Sequence, residues 1–406
     1  MKTLIFFFSL VLSFIVQGEG LLLKGGNVHT ATVDSDGVLK NTDIYIKDGR
    51  IIKVGKDLQV NASRVEDLNG KIVTPGFIAP YSQLGIVEIE AVDETRDDRS
   101  TVYSSGLSIV SAFNPHSTLI PYNLRGGITT ALTVPSSSGL YSGLASSFSL
   151  SSSLEGSLIS RDIALFGSVS SREGSRAAKM LLLEDSLDVA SRVIEANGWN
   201  DEKGLPSSSS YSTRDIIALK RVLSREIPLV VRADRASDIL FLINFSIEKN
   251  IRLILRGGSE AWMVAKQLAK KNIPVILEPI NNLPGSFNQL GARLDNAAIL
   301  NKAGVKILIA SHETHNSHLS RQAAGIAVSY GLPWDIALRA ITSNVAEVFG
   351  LKEIGMIKKG YKADLIIWEK DPLEVSAFAQ QIYISGRLMS NESRSTRLRD
   401  RYLNLD

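Results

Sequence analysis

The chain has 406 residues, enough for one domain of α/β-barrel size, commonly about 250 residues, and a smaller one beside it. Its 45 Lys and Arg against 42 Asp and Glu leave a net charge of +3, too small for the basic field on which nucleic-acid binding rests, so no nucleic-acid partner is expected. With no cysteine, disulfides, thiolate metal sites and a cysteine nucleophile are excluded.

At the start, Lys2 precedes an apolar run from Leu4 to Val16 and then Gln17-Gly18-Glu19, the order of a secretory signal. The run is shorter than the roughly 20 apolar residues that span a bilayer. The expectation is a signal peptide over residues 1–18, export to the periplasm or beyond the cell, and no transmembrane segment in the mature chain. From Leu21 to Thr74 short β segments alternate with turns, and Asp48-Gly49 between Asp43–Lys47 and Arg50–Val54 is a strong hairpin signal. These strands lack partners to cover their apolar face.

Matching strands come at the far end, Ala363 to Trp368 and Ile382 to Ile384 before Ser385-Gly386. A β-sandwich built from both termini, residues 19–74 and 355–390, would close the edges that either half alone leaves open. Between them, strand-like and helix-like segments alternate: a strand from Gly127 to Val134, a helix from Ala177 to Asn197, a helix N-capped by Thr213 and running to Leu223, then βα repeats from Ile227 to Ser343. The fold class is therefore α/β, a (β/α)8 TIM-type barrel over residues 75–354 with a small discontinuous β-sandwich domain from both termini. Ser136–Ser138, Ser147–Ser153 and Ser207–Ser210 read as surface loops, and residues 391–406 as a basic C-terminal tail whose simplest account is a solvated helix.

The stretch Val73 to Gly85, VTPGFIAPYSQLG, resembles the first barrel strand of the amidohydrolase superfamily, a metal-dependent hydrolase fold. The resemblance extends through Arg125–Thr130, Ile227–Leu242, Leu253–Leu277, Ala323–Phe349 and Asn344–Pro372, and the exported, imidazolonepropionase-like branch is the nearest in pattern. In that family a His-x-His pair on the first strand helps to bind one or two metals at the barrel mouth. Here Tyr81 and Gln83 stand at the matching positions, Arg232 and Arg256 match the histidines of two later strands, and His312 matches the acid after the last one. No match is found for the bridging lysine or carboxylate of the middle strands. Two guanidinium groups that cannot deprotonate would face any divalent cation, so the resemblance implies an anion site rather than the usual metal hydroxide.

Two like charges in one mouth need a negative partner, and the candidates are Glu88, Glu90 or Asp234 from the chain, or a ligand carboxylate. The segment HETHNSH carries His312, His315 and His318 after an apolar strand, but it lacks the His-Glu-x-x-His order, and a polar loop is its plainer account. His312 as a lone general base is the better functional assignment, with Tyr81, Gln83, Arg232 and Arg256 as substrate-binding residues. The acidic segment Glu88 to Asp98 reads as a solvated loop, and His29 and His116 as structural. Neither metal ligand nor cofactor is assigned, the alternative being a divalent ion such as zinc at a non-standard site. The function expected is hydrolysis of non-peptide carbon–nitrogen bonds in a cyclic or small amide. The alternative is an inactive exported protein that binds a small anion on the same scaffold. Either way the partner is a small molecule, and the sequence carries no signal for oligomeric state.

Overall fold

The computed structural model describes residues 20–33, 37–170, 175–197, 211–311 and 315–403. The expected signal peptide, Ser207–Ser210 and His312 lie outside the described residues. Among the described residues no helix is long and apolar enough to cross a membrane.

Strands β1 (Leu21–His29), β2 (Val38–Lys47), β3 (Arg50–Gly55), β4 (Arg64–Asp67) and β5 (Ile72–Pro75) open the chain. The β2–β3 hairpin turns on Asp48 and Gly49, both at positive φ (52° and 75°), the backbone that the Asp-Gly pair favours. The chain then enters β6 (Phe77–Ser82), and passes through α1 (Leu119–Leu124), β7 (Ile128–Thr133), β8 (Tyr141–Ser149), β9 (Leu158–Ser168), α2 (Arg176–Asn197), α3 (Thr213–Leu223), β10 (Leu229–Ala233), α4 (Ala236–Glu248) and β11 (Leu253–Gly257). After α5 (Ala265–Lys270), β12 (Val275–Leu277), α6 (Asn296–Lys302), β13 (Ile307–Ile309), α7 (Ser320–Ser329), α8 (Trp334–Ala340) and α9 (Ser343–Phe349), it ends in β14 (Leu365–Trp368), β15 (Ala379–Ile384), β16 (Arg387–Leu388) and α10 (Arg394–Leu403).

The strands from the two ends share one eight-stranded sheet, in the order β16-β15-β14-β5-β1-β2-β3 with β4 on β1. The expected sandwich is thus one continuous sheet, bent so that Leu23, Ile44 and Ile51 from one end and Leu365, Ile367 and Tyr383 from the other pack in a common core. Its junction is the antiparallel pairing of β5 with β14, where Leu365 opposes Pro75 and Trp368 opposes Ile72. Alternation on β14 serves two cores, with Leu365 and Ile367 facing the terminal sheet and Ile366 and Trp368 facing the barrel. That explains why Ala363 to Trp368 reads as a continuous apolar run.

The second sheet runs β6-β7-β8-β9-β10-β11-β12-β13, and contact between β13 and β6 brings it nearly to closure. The barrel departs from the all-parallel expectation at one strand. β8 runs antiparallel between β7 and β9, because the connections 134–140 and 150–157 are too short for the crossover that parallel neighbours need. Ser147 and Ser149, expected on a surface loop, are buried in this strand. A small hydroxyl fits between strands, and Ser147 reaches the Ser160 carbonyl at 3.5 Å as the neighbouring Ser146 bonds Asp162, whereas the Ser149 hydroxyl is buried without a partner among the described residues. A smaller correction concerns α3, whose N-cap is Ser212, held in a capping box with Asp215, so that Thr213 is already helical.

Gly76 marks the passage from one sheet to the other. A Cβ at this position would overlap the side chain of Thr129 on β7. Gly76→Ala is expected to destabilise the protein by about 1–3 kcal/mol in urea unfolding. Part of that loss should return in the combined Gly76→Ala and Thr129→Gly variant, and equal stability of the single variant and the native chain would show that the junction tolerates the methyl group.

Candidate functional site

Inside the barrel the inward residues of successive strands form layers. One layer holds Phe166, Val230, Ile254, Ile276 and Leu308. Two residues further along each strand, on the same side of the pleat, come Ser168, Arg232, Arg256, Glu278 and Ala310. Arg232 and Arg256 are register partners on β10 and β11, so their side chains leave the sheet beside one another at its C-terminal edge. Glu278, the first residue after β12, lies between them: its Oε1 accepts from Arg256 Nη2 at 3.1 Å and its Oε2 is 3.9 Å from Arg232 Nη1. Asp234 Oδ2 lies 3.6 Å from Arg232 Nε, while its Oδ1 accepts from the Ser259 hydroxyl at 2.9 Å.

The Glu278 side chain is 7% exposed and that of Arg256 10%. Burial works against the charge of Arg232, but Glu278 and then Asp234 outweigh it and hold the guanidinium above its ordinary pKa. The Arg256 guanidinium carbon lies 3.4 Å from the centre of the Tyr81 ring, a cation–π contact. Gln83 donates from Nε2 to the Tyr81 hydroxyl at 3.0 Å, which leaves the phenolic proton to be donated elsewhere.

Tyr81, Gln83, Arg232 and Arg256 are thus brought together at the throat. His315 and His318 are not part of that cluster. Asn123 of α1 donates to the His315 carbonyl at 3.0 Å and accepts from the His318 backbone N–H at 2.9 Å, fixing this loop to the helix. Burial, with smaller contributions from Arg321 and His315, lowers His318 to a pKa of about 4. Of the expected counter-charges only Asp234 reaches an arginine. Glu88 accepts from Thr118, and Glu90 offers its carbonyl to Arg96, whose guanidinium also clamps the buried Asp98. His29 packs against Trp334 with ring centres 4.4 Å apart, between the terminal sheet and α8.

The residue that sequence reasoning missed is Glu278. Its level in the barrel was legible, since it follows Ile276 by two residues as Arg232 follows Val230 and Arg256 follows Ile254, but which arginines it would meet was not. Beside the throat lies a cleft of about 860 Å³ lined by Arg232, Asp234, Arg235, Arg176, Lys179 and Ser168, among others. Lys179 donates to the carbonyls of Ser138, Ser170 and Gly139 at 3.2–3.4 Å, and burial lowers its ammonium below the ordinary pKa.

A divalent metal at the throat would need side chains with lone pairs to give. Guanidinium groups offer no lone pair, and Glu278 already spans two of them. Among the described residues no group of three His, Asp or Glu side chains is arranged to hold a metal ion. These residues do not fit one.

Residues 242–389 match the amidohydrolase family model. That match covers a little over a third of the chain, from α4 to β16. Among solved structures, an amidohydrolase from Thermotoga maritima MSB8 superposes with a TM-score of 0.81 at 24% identity, over 92% of this chain and 100% of that one. A prolidase complexed with N-methylphosphonate-L-proline superposes with a TM-score of 0.60 at 18% identity, over 92% and 100%. Among curated proteins, "Amidohydrolase tasK" of Hapsidospora irregularis is 22% identical over 388 residues, covering 85% of this chain and 39% of that relative. The chain therefore spans well under half the length of that relative. A 5-methylthioadenosine/S-adenosylhomocysteine deaminase of Thermococcus sibiricus is 39% identical over 67 residues, 16% of this chain and 15% of the relative.

Two outcomes follow. Glu278→Gln leaves the buried Arg256 and the partly exposed Arg232 adjacent without their shared carboxylate, and should cost up to about 3–5 kcal/mol in denaturant unfolding, the range for breaking a buried pair; a cost below about 1 kcal/mol would mean that Arg232 and Arg256 are neutralised otherwise. For His318, the unfolded chain takes up a proton below about pH 6.5, while the folded protein resists doing so until about pH 4. Its contribution to stability is thus complete above pH 6.5 and lost as the pH falls toward 4. Urea unfolding at several pH values should show this slope, and His318→Gln should flatten it.

Proposed function

We propose that the protein is a hydrolase acting on the non-peptide carbon–nitrogen bond of a small amide or cyclic amide that carries an anionic group, with the arginine throat in place of a metal. We also take it to be exported, on the Lys2-to-Glu19 order and the resemblance to the imidazolonepropionase-like branch. The observation that carries the anionic substrate is Arg232: it is partly exposed, lines the cleft, and shares its acidic neighbours Asp234 and Glu278 with other groups. Its remaining N–H donors can take a substrate carboxylate by charge-assisted hydrogen bonds.

In this reading His312 is the general base, by its place after β13. It takes a proton from water as the water oxygen bonds to the amide carbon. The Tyr81 hydroxyl, oriented by Gln83, donates to the oxyanion. The carbon–nitrogen bond then breaks as His312 returns the proton to the leaving nitrogen. The match of residues 242–389 to the amidohydrolase family model and the names of the relatives, which include an amidohydrolase and a deaminase, support a hydrolase. A second reading, an inactive protein that binds a small anion, is favoured by the specific observation that Glu278 already occupies the space between the two guanidinium groups.

Purified protein is expected to carry less than stoichiometric zinc by elemental analysis, and small carboxylates should raise its melting temperature in proportion to affinity. Arg232→Ala should abolish that rise, and added zinc should not reproduce it. Amine release from a panel of carboxylated amides, lost in His312→Ala, separates the hydrolase from the binder. Stoichiometric zinc, lost in His312→Ala or His315→Ala, would overturn the metal-free throat.

A further inference from the structure

The cleft beside the throat holds more positive charge than the throat uses. Of its lining residues Arg176, Lys179, Arg232 and Arg235 are cationic, and Asp234 is the one carboxylate among the described residues. Two of these cations have acidic neighbours: Arg232 has Asp234 and Glu278, and Arg176 lies 3.6 Å from Asp238. The direct contacts of the other two are with neutral oxygens, although Asp238 also acts on Arg235 at longer range. Lys179 is held by three backbone carbonyls, and Arg235 donates from Nη2 to the Phe287 carbonyl at 3.1 Å. A guanidinium has five N–H donors, so most of the Arg235 fork has no partner among the described residues.

Uncompensated charge on a partly desolvated wall is unfavourable unless an anion shares the space. The carbonyl oxygens that order Lys179 and Arg235 fix their positions without cancelling their charge. The cleft volume, about 860 Å³, suits a small molecule. The wall between throat and rim carries Ser170 and Ser168, and the Ser168 hydroxyl, which donates to the Ser170 carbonyl at 3.1 Å, can still accept from an amide N–H.

We infer that the cleft takes a small dianion, one anionic group on Arg232 at the throat and the other on Arg235 and Lys179 at the rim, so that the substrate class is an amide derived from a dicarboxylic acid or an acidic amino acid. This rests on the reading of Arg232 as the anion site of the throat. It adds a second, separate subsite.

The probes are glutarate and valerate, which share a chain length and differ in the far-end charge. Titration calorimetry at constant ionic strength, in a buffer free of carboxylate and phosphate, should show glutarate binding the native protein at least roughly tenfold more tightly, as expected for one added charge-assisted contact. Arg235→Gln and Lys179→Gln should bring glutarate down to the affinity of valerate while leaving valerate unchanged. Arg235→Lys, which keeps the charge, should retain most of the preference and guards against loss of the loop that Arg235 anchors. Equal binding of the two probes by native protein, or equal weakening of both by the rim variants, would overturn the second subsite. If Arg232→Ala abolishes binding of both while the rim variants change nothing, the rim site falls and the throat site stands. If native protein binds neither probe, both readings fall.

Discussion

Placing two guanidinium groups side by side at the throat of a barrel is the constraint to which this site is built. Neither can shed its proton, so the charge must be met in place. Glu278 meets it by touching Arg256 with one oxygen and approaching Arg232 with the other, and Asp234 adds a second carboxylate. The Tyr81 ring beneath Arg256 gives that buried cation an electron-rich face where water is excluded. The cluster therefore uses the aromatic wall, the amide of Gln83 and the acid after β12 as one unit.

That unit depends on the strands holding their register, and the register depends on closure of the terminal sheet. β14 lies between two cores and pairs with β5, which leads directly into β6 and the throat stretch. The Trp368 indole donates to the Thr74 hydroxyl at 2.9 Å, and its ring stacks on Phe77 at 5.5 Å. Far ends of the chain thus fix the strand that delivers Tyr81 and Gln83. The buried Arg321 plays a similar part at the return from the barrel: its guanidinium donates to the carbonyls of Pro372, Glu374 and Ala377, tying the segment before β15 to α7.

Loops around the mouth are fastened by single polar residues with several partners. Asp215 accepts from the backbone N–H groups of Ser104 and Gly106 while capping α3. Asp98, in the segment that reads as a solvated acidic loop, is fully buried, clamped by Arg96 and bonded to Ser136. Asn123 does the same for the loop that carries His315 and His318. Charge in a loop is a poor guide to exposure when one residue of the run finds a fixed partner.

Much of the architecture was legible in the residues alone, for local reasons. The Asp48-Gly49 hairpin, the apolar strands at both ends and the βα alternation between them follow from turn chemistry and from periodicities of 2 and 3.6, which any chain of this pattern must satisfy. The placement of Tyr81, Gln83, Arg232 and Arg256 at one mouth was what the amidohydrolase resemblance implied, position by position, and the folded chain brings them together there. Three things could be decided only in the folded chain. β8 became an antiparallel strand although its serines read as a loop, since burial between neighbours satisfies a backbone that composition alone leaves ambiguous. Glu278, rather than Glu88 or Glu90, became the counter-charge, because proximity across adjacent strands, not along the chain, sets which carboxylate reaches an arginine. The surplus of cations in the cleft arose from α2 and the start of α4 meeting over the throat, a juxtaposition of residues more than fifty positions apart that no local pattern encodes.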